Sequence, residues 1–258
     1  MIVVGWKWAP VVDDGRAPGT SAADRAALEI ALRLAAAYGD AVVVVSVGPP
    51  AAERGLREAL AAGATRALRV DAPTGLAASA VAAAIAGLAA GTRWVLCGDV
   101  SADRGTGSVP AFLAAELGVA QALGLVAVDV DDGARVRAMR RLDGGRREVL
   151  SVDAPAVLSV EGAVARLRRA TLPAELAARR ADIEVITGPA GPVEAAATVR
   201  PYRPRPRERP APEGEALDRV RRLTATGSTP AAHAETVVLD PPAAADRILA
   251  ALREWGYR

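Results

Sequence analysis

Ala41 to Val47, AVVVVSV, is a β-branched run with almost no polar alternation. A strand that reads this way is buried on both faces, as happens in parallel sheets covered by helices on either side. Shorter apolar runs repeat the theme at Met1 to Val4, Ala67 to Val70 and Arg93 to Cys97, with helical patterns between them. Ser21 is a good N-cap for a helix reaching about Tyr38, with Leu28, Ala31, Leu32 and Ala35 on one stripe and Gly39-Asp40 at its end. A second helix carries Leu56 and Leu60 toward Gly63, and a third spans Leu76 to Ala90. This alternation through residue 118 predicts an α/β fold: a parallel-sheet three-layer sandwich with right-handed crossovers and helices on both faces.

The pattern then changes. Leu125 to Val130, Arg135 to Leu142 and Arg146 to Val152 are separated by Asp131-Asp132-Gly133 and Asp143-Gly144-Gly145, both hairpin-type turns, so an antiparallel excursion is expected. Ala156 to Val160 reads as a strand able to rejoin the main sheet. Beyond Ala163 the chain becomes peripheral: a charge cluster at Arg166 to Arg169, a helical piece from Ala174 to Arg180, and an edge strand at Ile183 to Ile186. Two parts are expected, an α/β domain over 1–188 and an arm over 189–258. The arm is proline- and arginine-rich up to Pro212 and should be extended. It closes in an amphipathic helix, Ala243 to Trp255, whose Ile248, Leu249, Leu252 and Trp255 form an apolar face suited to docking on another subunit.

Composition excludes more than it indicates. The 32 basic and 30 acidic residues nearly balance and aromatics are 3%, so neither charge nor stacking argues for nucleic acid. His233 is the one histidine and Cys97 the one cysteine, which rules out a zinc site of Cys and His ligands and an internal disulfide. His233 reads as an exposed loop residue. Nothing at the amino end marks export, no stretch reads as a bilayer span, and a cytoplasmic location is the default expectation. Lys7 is the chain's single lysine among many arginines.

Trp94 to Gly118, WVLCGDVSADRGTGSVPAFLAAELG, carries the chemistry. An apolar strand meets a loop containing Gly105-Thr106-Gly107 and then a helix start, with Phe112, Leu113 and Leu117 at helical spacing. Glycine lets a backbone approach a phosphate, and a helix start offers unpaired N–H groups and a positive dipole end. A nucleotide phosphate at Gly105 to Ser108 is one reading; a turn that is glycine-rich for structural reasons is the other. Trp6, Lys7 and Trp8 follow the first strand, where open α/β sheets bind ligands. They line that site, or the tryptophans cap the core and Lys7 is solvated.

AMRRLDGGRREVLSVDAPAVLS, Ala138 to Ser159, resembles the β subunit of electron transfer flavoproteins at Arg140, Asp143, Gly144, Gly145, Glu148, Leu150, Pro155, Val157, Leu158 and Ser159. VVGWK resembles that family's opening strand, DRAALEIALRLAAAYG its first helix, VVSVGPPAAERGLREALAAGATRALRV its next strand and helix, and ATLPAELAARRADIEV its partner-recognition loop. The likeness covers nearly all of residues 1–188 and, more loosely, the C-terminal helix.

The resemblance implies an adenine-nucleotide-binding type of sandwich and an obligate heterodimer with an α-type subunit, sharing one FAD near the interface. It further implies an electron carrier without side-chain catalysis, taking electrons from flavin dehydrogenases and passing them toward a membrane quinone oxidoreductase, and an AMP site of its own. The matching positions are Gly5, Ser21, Ala22, Ala23, Asp24 and Val47, with the loop Asp99, Val100, Ser101, Ala102, Asp103, Arg104, Gly105, Thr106 and Gly107. Leu172 would be an apolar anchor into a dehydrogenase, beside Pro173, Arg179 and Arg180, within a mobile docking arm from Ala163 to Ile183. The family loop usually reads Gln-Ala-x-Asp-Gly-Asp-Thr-Gly-Gln; Asp103, Thr106 and Gly107 are kept, while Val100, Arg104, Gly105 and Ser108 depart. Arg104 adds a cation beside the presumed phosphates. Arginine richness points to a divergent bacterial branch, such as the actinobacterial one associated with the mycofactocin redox system. The rival is a stand-alone adenine-nucleotide-binding module of the universal-stress type, against which the long arm and the Asp143-Gly144-Gly145 hairpin argue.

Overall fold

The computed structural model describes residues 1–9, 19–130, 135–188, 214–224 and 237–256. The chain divides into two units, Met1–Thr198 and Val199–Arg258. In the first, strand β1 (Ile2–Gly5) is followed by a two-residue ribbon, β2 (Trp8–Ala9) with β3 (Gly19–Thr20), and by helix α1 (Ala22–Tyr38). Then come β4 (Val42–Gly48), α2 (Glu53–Ala62), β5 (Arg66–Asp71), α3 (Ala78–Ala89), β6 (Trp94–Gly98) and α4 (Val109–Leu117). The remainder is β7 (Ala120–Val130), β8 (Arg135–Arg141), β9 (Arg147–Asp153), β10 (Ala156–Val160), α5 (Leu172–Arg180) and β11 (Glu184–Thr187).

The nine-stranded sheet has the order β11-β5-β4-β1-β6-β10-β7-β8-β9. Every pairing from β11 to β7 is parallel, and β8 and β9 are antiparallel additions. β1 and β4 explain why the core forms: their side chains alternate between two apolar layers. Ile2, Val4, Val42 and Val44 pack with Leu28, Leu34 and Leu56 of α1 and α2, whereas Val3, Val43 and Val45 pack with Ile85 of α3 and Leu113 of α4. Each fully buried side chain of this size stabilises the fold by about 1.5–3 kcal/mol. The three-layer sandwich expected from the sequence is therefore present.

β7 is longer than the expected Leu125 to Val130. Its first residues, Ala120 to Ala122, run parallel to β10, and its later ones pair antiparallel with β8. β10 rejoins the parallel sheet as expected, inserted between β6 and β7. The turn at Asp143–Gly145 places Gly144 and Gly145 at φ 71° and 75°, which two consecutive side-chain-bearing residues would adopt only under strain. The turn at Asp131 to Gly133 lies outside the described residues.

The second unit contains α6 (Ala216–Thr224), which the sequence pattern did not disclose, and α7 (Pro241–Glu254). Asp240 caps α7 by accepting the Ala243 N–H at 3.0 Å, and Ile248, Leu249 and Trp255 are exposed. His233 and the proline- and arginine-rich stretch lie outside the described residues. Among the described residues, no helix is long and apolar enough to cross a membrane.

Candidate functional site

β1 lies between β4 and β6. The chain builds outward from β1 to β4 and β5, with α1 and α2 on one face, then crosses back through α3 on the other face to β6. This reversal opens a crevice at the carboxyl ends of β1 and β6, the place where open α/β sheets take ligands.

Helix α1 starts in that crevice. The Ser21 hydroxyl accepts the Asp24 N–H at 2.9 Å and donates to Asp24 Oδ2 at 2.9 Å, while the Gly98 N–H donates to Asp24 Oδ1 at 3.3 Å. Asp24 is only 7% exposed. Burial lifts its carboxyl from 3.8 to about 7, against the opposing pull of hydrogen bonds from Ser21 and Gly98 and the charge of Lys7. A Cβ at Gly98 would sit 2.8 Å from Asp24 Oδ1 and 2.9 Å from Ala23 Cβ; one at Gly162 would sit 2.9 Å from Ala22 Cβ. Two glycines thus let the helix start press against the ends of β6 and β10. Gly98 is legible as the glycine directly after the apolar run Trp94 to Cys97, whereas Gly162, set off from Ala156 to Val160 by Glu161, was not singled out from sequence.

The loop from Asp99 to Gly107 is closed largely on itself. Ser101 N–H donates to Thr106 O at 2.8 Å, Gly105 N–H to Ser101 O at 2.9 Å, and Arg104 N–H to Asp103 Oδ1 at 2.8 Å. A Cβ on Gly107 would lie 2.0 Å from Asp99 O, so that glycine serves the packing of loop against strand. The first part of the loop is therefore a self-bonded turn. The amides of Ser101, Arg104 and Gly105 are already engaged, whereas those of Gly107 and Ser108, at the start of α4, have no acceptor among the described residues. Asp99 Oδ1 is a buried acceptor without a partner among the described residues. Burial first, and the neighbouring Glu161 second, hold the Asp99 carboxyl above its ordinary range. Free N–H donors beside an unmet acceptor suit a ligand carrying both phosphate and hydroxyl groups.

Lys7 reaches this loop: its Nζ donates to Asp103 Oδ1 at 2.7 Å. Burial works against the Asp103 charge, but the hydrogen bond and charge of Lys7 outweigh it and keep the carboxyl low. The tryptophans separate in role. Trp6 is in the core, with its Nε1 unpartnered among the described residues, and Trp8 lies in β2 under the Arg54 guanidinium, 5.9 Å from the ring centroid. Gly55 makes room for both, since a Cβ there would come within 2.9 Å of each indole.

Gly5 ends β1, where a Cβ would meet Cys97 Sγ at 3.0 Å. Ala22 and Ala23 begin α1, Val47 packs at the carboxyl end of β4 against the layer holding α3, and Val100 is exposed. Cys97 is buried, and burial with the nearby Asp24 charge pushes its thiol up to about 12. An open cavity of about 870 Å3 lies at the opposite end of the sheet, lined by Asp40, Arg93, Glu116 and Pro155, and contains none of the crevice residues.

Leu172 opens α5 and is 71% exposed. Thr171 caps that helix by accepting the Ala174 N–H at 3.3 Å, Pro173 sits in its first turn, and Arg179 and Arg180 stand exposed in its last. The charge cluster before it is a clamp that the sequence did not reveal. Arg168 donates to buried Glu29 of α1 through its backbone N–H at 3.1 Å, Nε at 2.9 Å and Nη2 at 3.1 Å. The arm expected over Ala163 to Ile183 is thus tied to α1 near its start.

The electron transfer flavoprotein domain family matches residues 11–190. Protein FixA of Bradyrhizobium diazoefficiens is 33% identical over 171 residues, 62% of this chain and 59% of the relative. Protein FixA of Azorhizobium caulinodans is 32% identical over 173 residues, 63% of this chain and 61% of the relative. Electron transfer flavoprotein subunit beta of Mycobacterium tuberculosis is 32% identical over 155 residues, 57% of this chain and 56% of the relative. These matches span somewhat over half the length of the curated relatives. The chain belongs to the electron transfer flavoprotein domain family. Within that family it is of the beta type.

Proposed function

We propose that the chain is the β-type subunit of a heterodimeric electron transfer flavoprotein. It pairs with an α-type subunit, shares one FAD with it, accepts electrons from flavin dehydrogenases and passes them toward a quinone oxidoreductase. A flavin supplies the redox chemistry when bound; this chain supplies position, electrostatics and a docking surface. Asp99 and the amides of Gly107 and Ser108 would hold an AMP-like nucleotide, with Ser21 and Asp24 fixing the floor beneath it. Leu172 is the apolar anchor that enters a dehydrogenase, presented by α5. The protein acts in the cytoplasm, as a carrier whose side chains make and break no bonds.

The observation that carries the proposal is the crevice at the reversal of strand order, where a glycine loop and a helix start leave donors and one buried acceptor without partners among the described residues. Co-expression with a candidate α-type subunit tests it. A yellow complex with flavin absorbance supports the proposal. A colourless monomer that binds adenine nucleotide by itself replaces it with the stand-alone nucleotide-binding module.

A further inference from the structure

We propose that the Lys7–Asp103 ion pair is a latch across the crevice, and that the phosphate of a bound nucleotide opens it by competing with Asp103 for the Lys7 ammonium. This rests on the nucleotide site proposed above. The pair joins residues 96 positions apart, one following β1 and the other inside the glycine loop. The two halves are held unequally. Asp103 also accepts the Arg104 N–H at 2.8 Å, and its loop is braced by the Ser101–Thr106 and Gly105–Ser101 bonds. Asp103 therefore stays with its loop, and Lys7 is the half able to leave. Both side chains are solvent-accessible, and an ion pair so placed is weak enough for another anion to displace it. An ammonium suits this exchange better than a guanidinium, being a compact charge on a flexible stem, and Lys7 is the one lysine in a chain otherwise provided with arginine.

Opposite signs for the two halves distinguish a latch from a strut. In the full-length chain, Lys7→Ala should weaken AMP binding about tenfold, since it removes a charge-assisted contact to phosphate. Asp103→Asn should tighten AMP binding about threefold, because the amide still accepts the Arg104 N–H but no longer holds the ammonium. Lys7→Arg should restore part of the loss, and adenosine, which lacks the phosphate, should bind all variants alike. Without nucleotide, both Lys7→Ala and Asp103→Asn should speed hydrogen exchange across 99–107 several-fold. AMP affinity that falls equally in both variants, or loop exchange that changes in neither, overturns the latch and leaves the nucleotide site standing. A wild-type chain that does not bind AMP overturns both.

Discussion

Asp24, buried at the start of α1, accepts the backbone N–H of Gly98 at 3.3 Å and so fixes the first helix to the end of a strand 74 residues further along. The contact exists because position 98 has no side chain. Gly98→Ala would bring a methyl group within 2.8 Å of Asp24 Oδ1 and 2.9 Å of Ala23 Cβ. Overpacking of this kind should destabilise the fold by about 1–3 kcal/mol in urea denaturation.

The same carboxylate makes stability depend on pH. Its pKa is about 7 in the folded chain against an ordinary 3.8, so the folded state holds a proton that the unfolded state has released. Stability from this group is complete below pH 3.8 and is lost as pH rises through about 7. Integrated over that window, the shift is worth roughly 4 kcal/mol as an upper bound. Asp24→Asn should therefore gain on the wild type between pH 5 and about 8, with the difference fading toward acid. Parallel melting curves that keep a constant gap would refute this.

Glu29 has the opposite sign. Burial disfavours its charge, but hydrogen bonds from Arg168 and Arg33 outweigh that and lower its pKa from 4.5. Its contribution is present above its ordinary pKa and is lost as pH falls through the lowered folded value. Arg168→Ala keeps the backbone donor but leaves a 5% exposed carboxylate without the two side-chain donors, Nε and Nη2, and should cost about 1–3 kcal/mol at neutral pH. Limited proteolysis should then cut between Glu161 and Thr171, where the wild type resists.

Leu172 should behave in the reverse manner. As an exposed residue it contributes little to stability, and Leu172→Ala should move the denaturation midpoint by less than about 0.5 kcal/mol. Electron transfer from a cognate dehydrogenase should nonetheless slow about tenfold, in keeping with loss of an interface anchor. Unchanged rates would remove that role.

Cys97 should be inert. Its thiol is buried and, through burial above all, titrates only near 12, so iodoacetamide at neutral pH should label it after denaturation and not before. Rapid labelling of the native chain would show that the Gly5–Cys97 contact opens.

The parallel core was legible because β1 and β4 are β-branched on both faces, and because Ser21 is the cap the sequence names. The crevice was legible in position but not in detail. Sequence pattern located Gly105 to Ser108, yet only coordinates distinguish amides consumed within the loop from those of Gly107 and Ser108. Trp6 could not be separated from Trp8 by pattern, since what parts them is the fold around them: Trp6 packs in the core, and Trp8 lies half-buried under Arg54 of α2. Arg168 read as one member of a charge cluster because its partner, Glu29, lies across the fold. α6 escaped notice because it is short and follows the proline-rich stretch, although Leu217, Val220 and Leu223 recur at helical spacing.

Strand β10 occupies the gap between β6 and β7, although it is made after both. During synthesis, then, a chain emerging from the ribosome has two sheet fragments with no shared neighbour until Ala156 to Val160 is exposed. A fragment library cut anywhere ahead of Ala156 should yield insoluble pieces, and one cut just beyond Val160 is the earliest that can join β6 to β7 in one sheet.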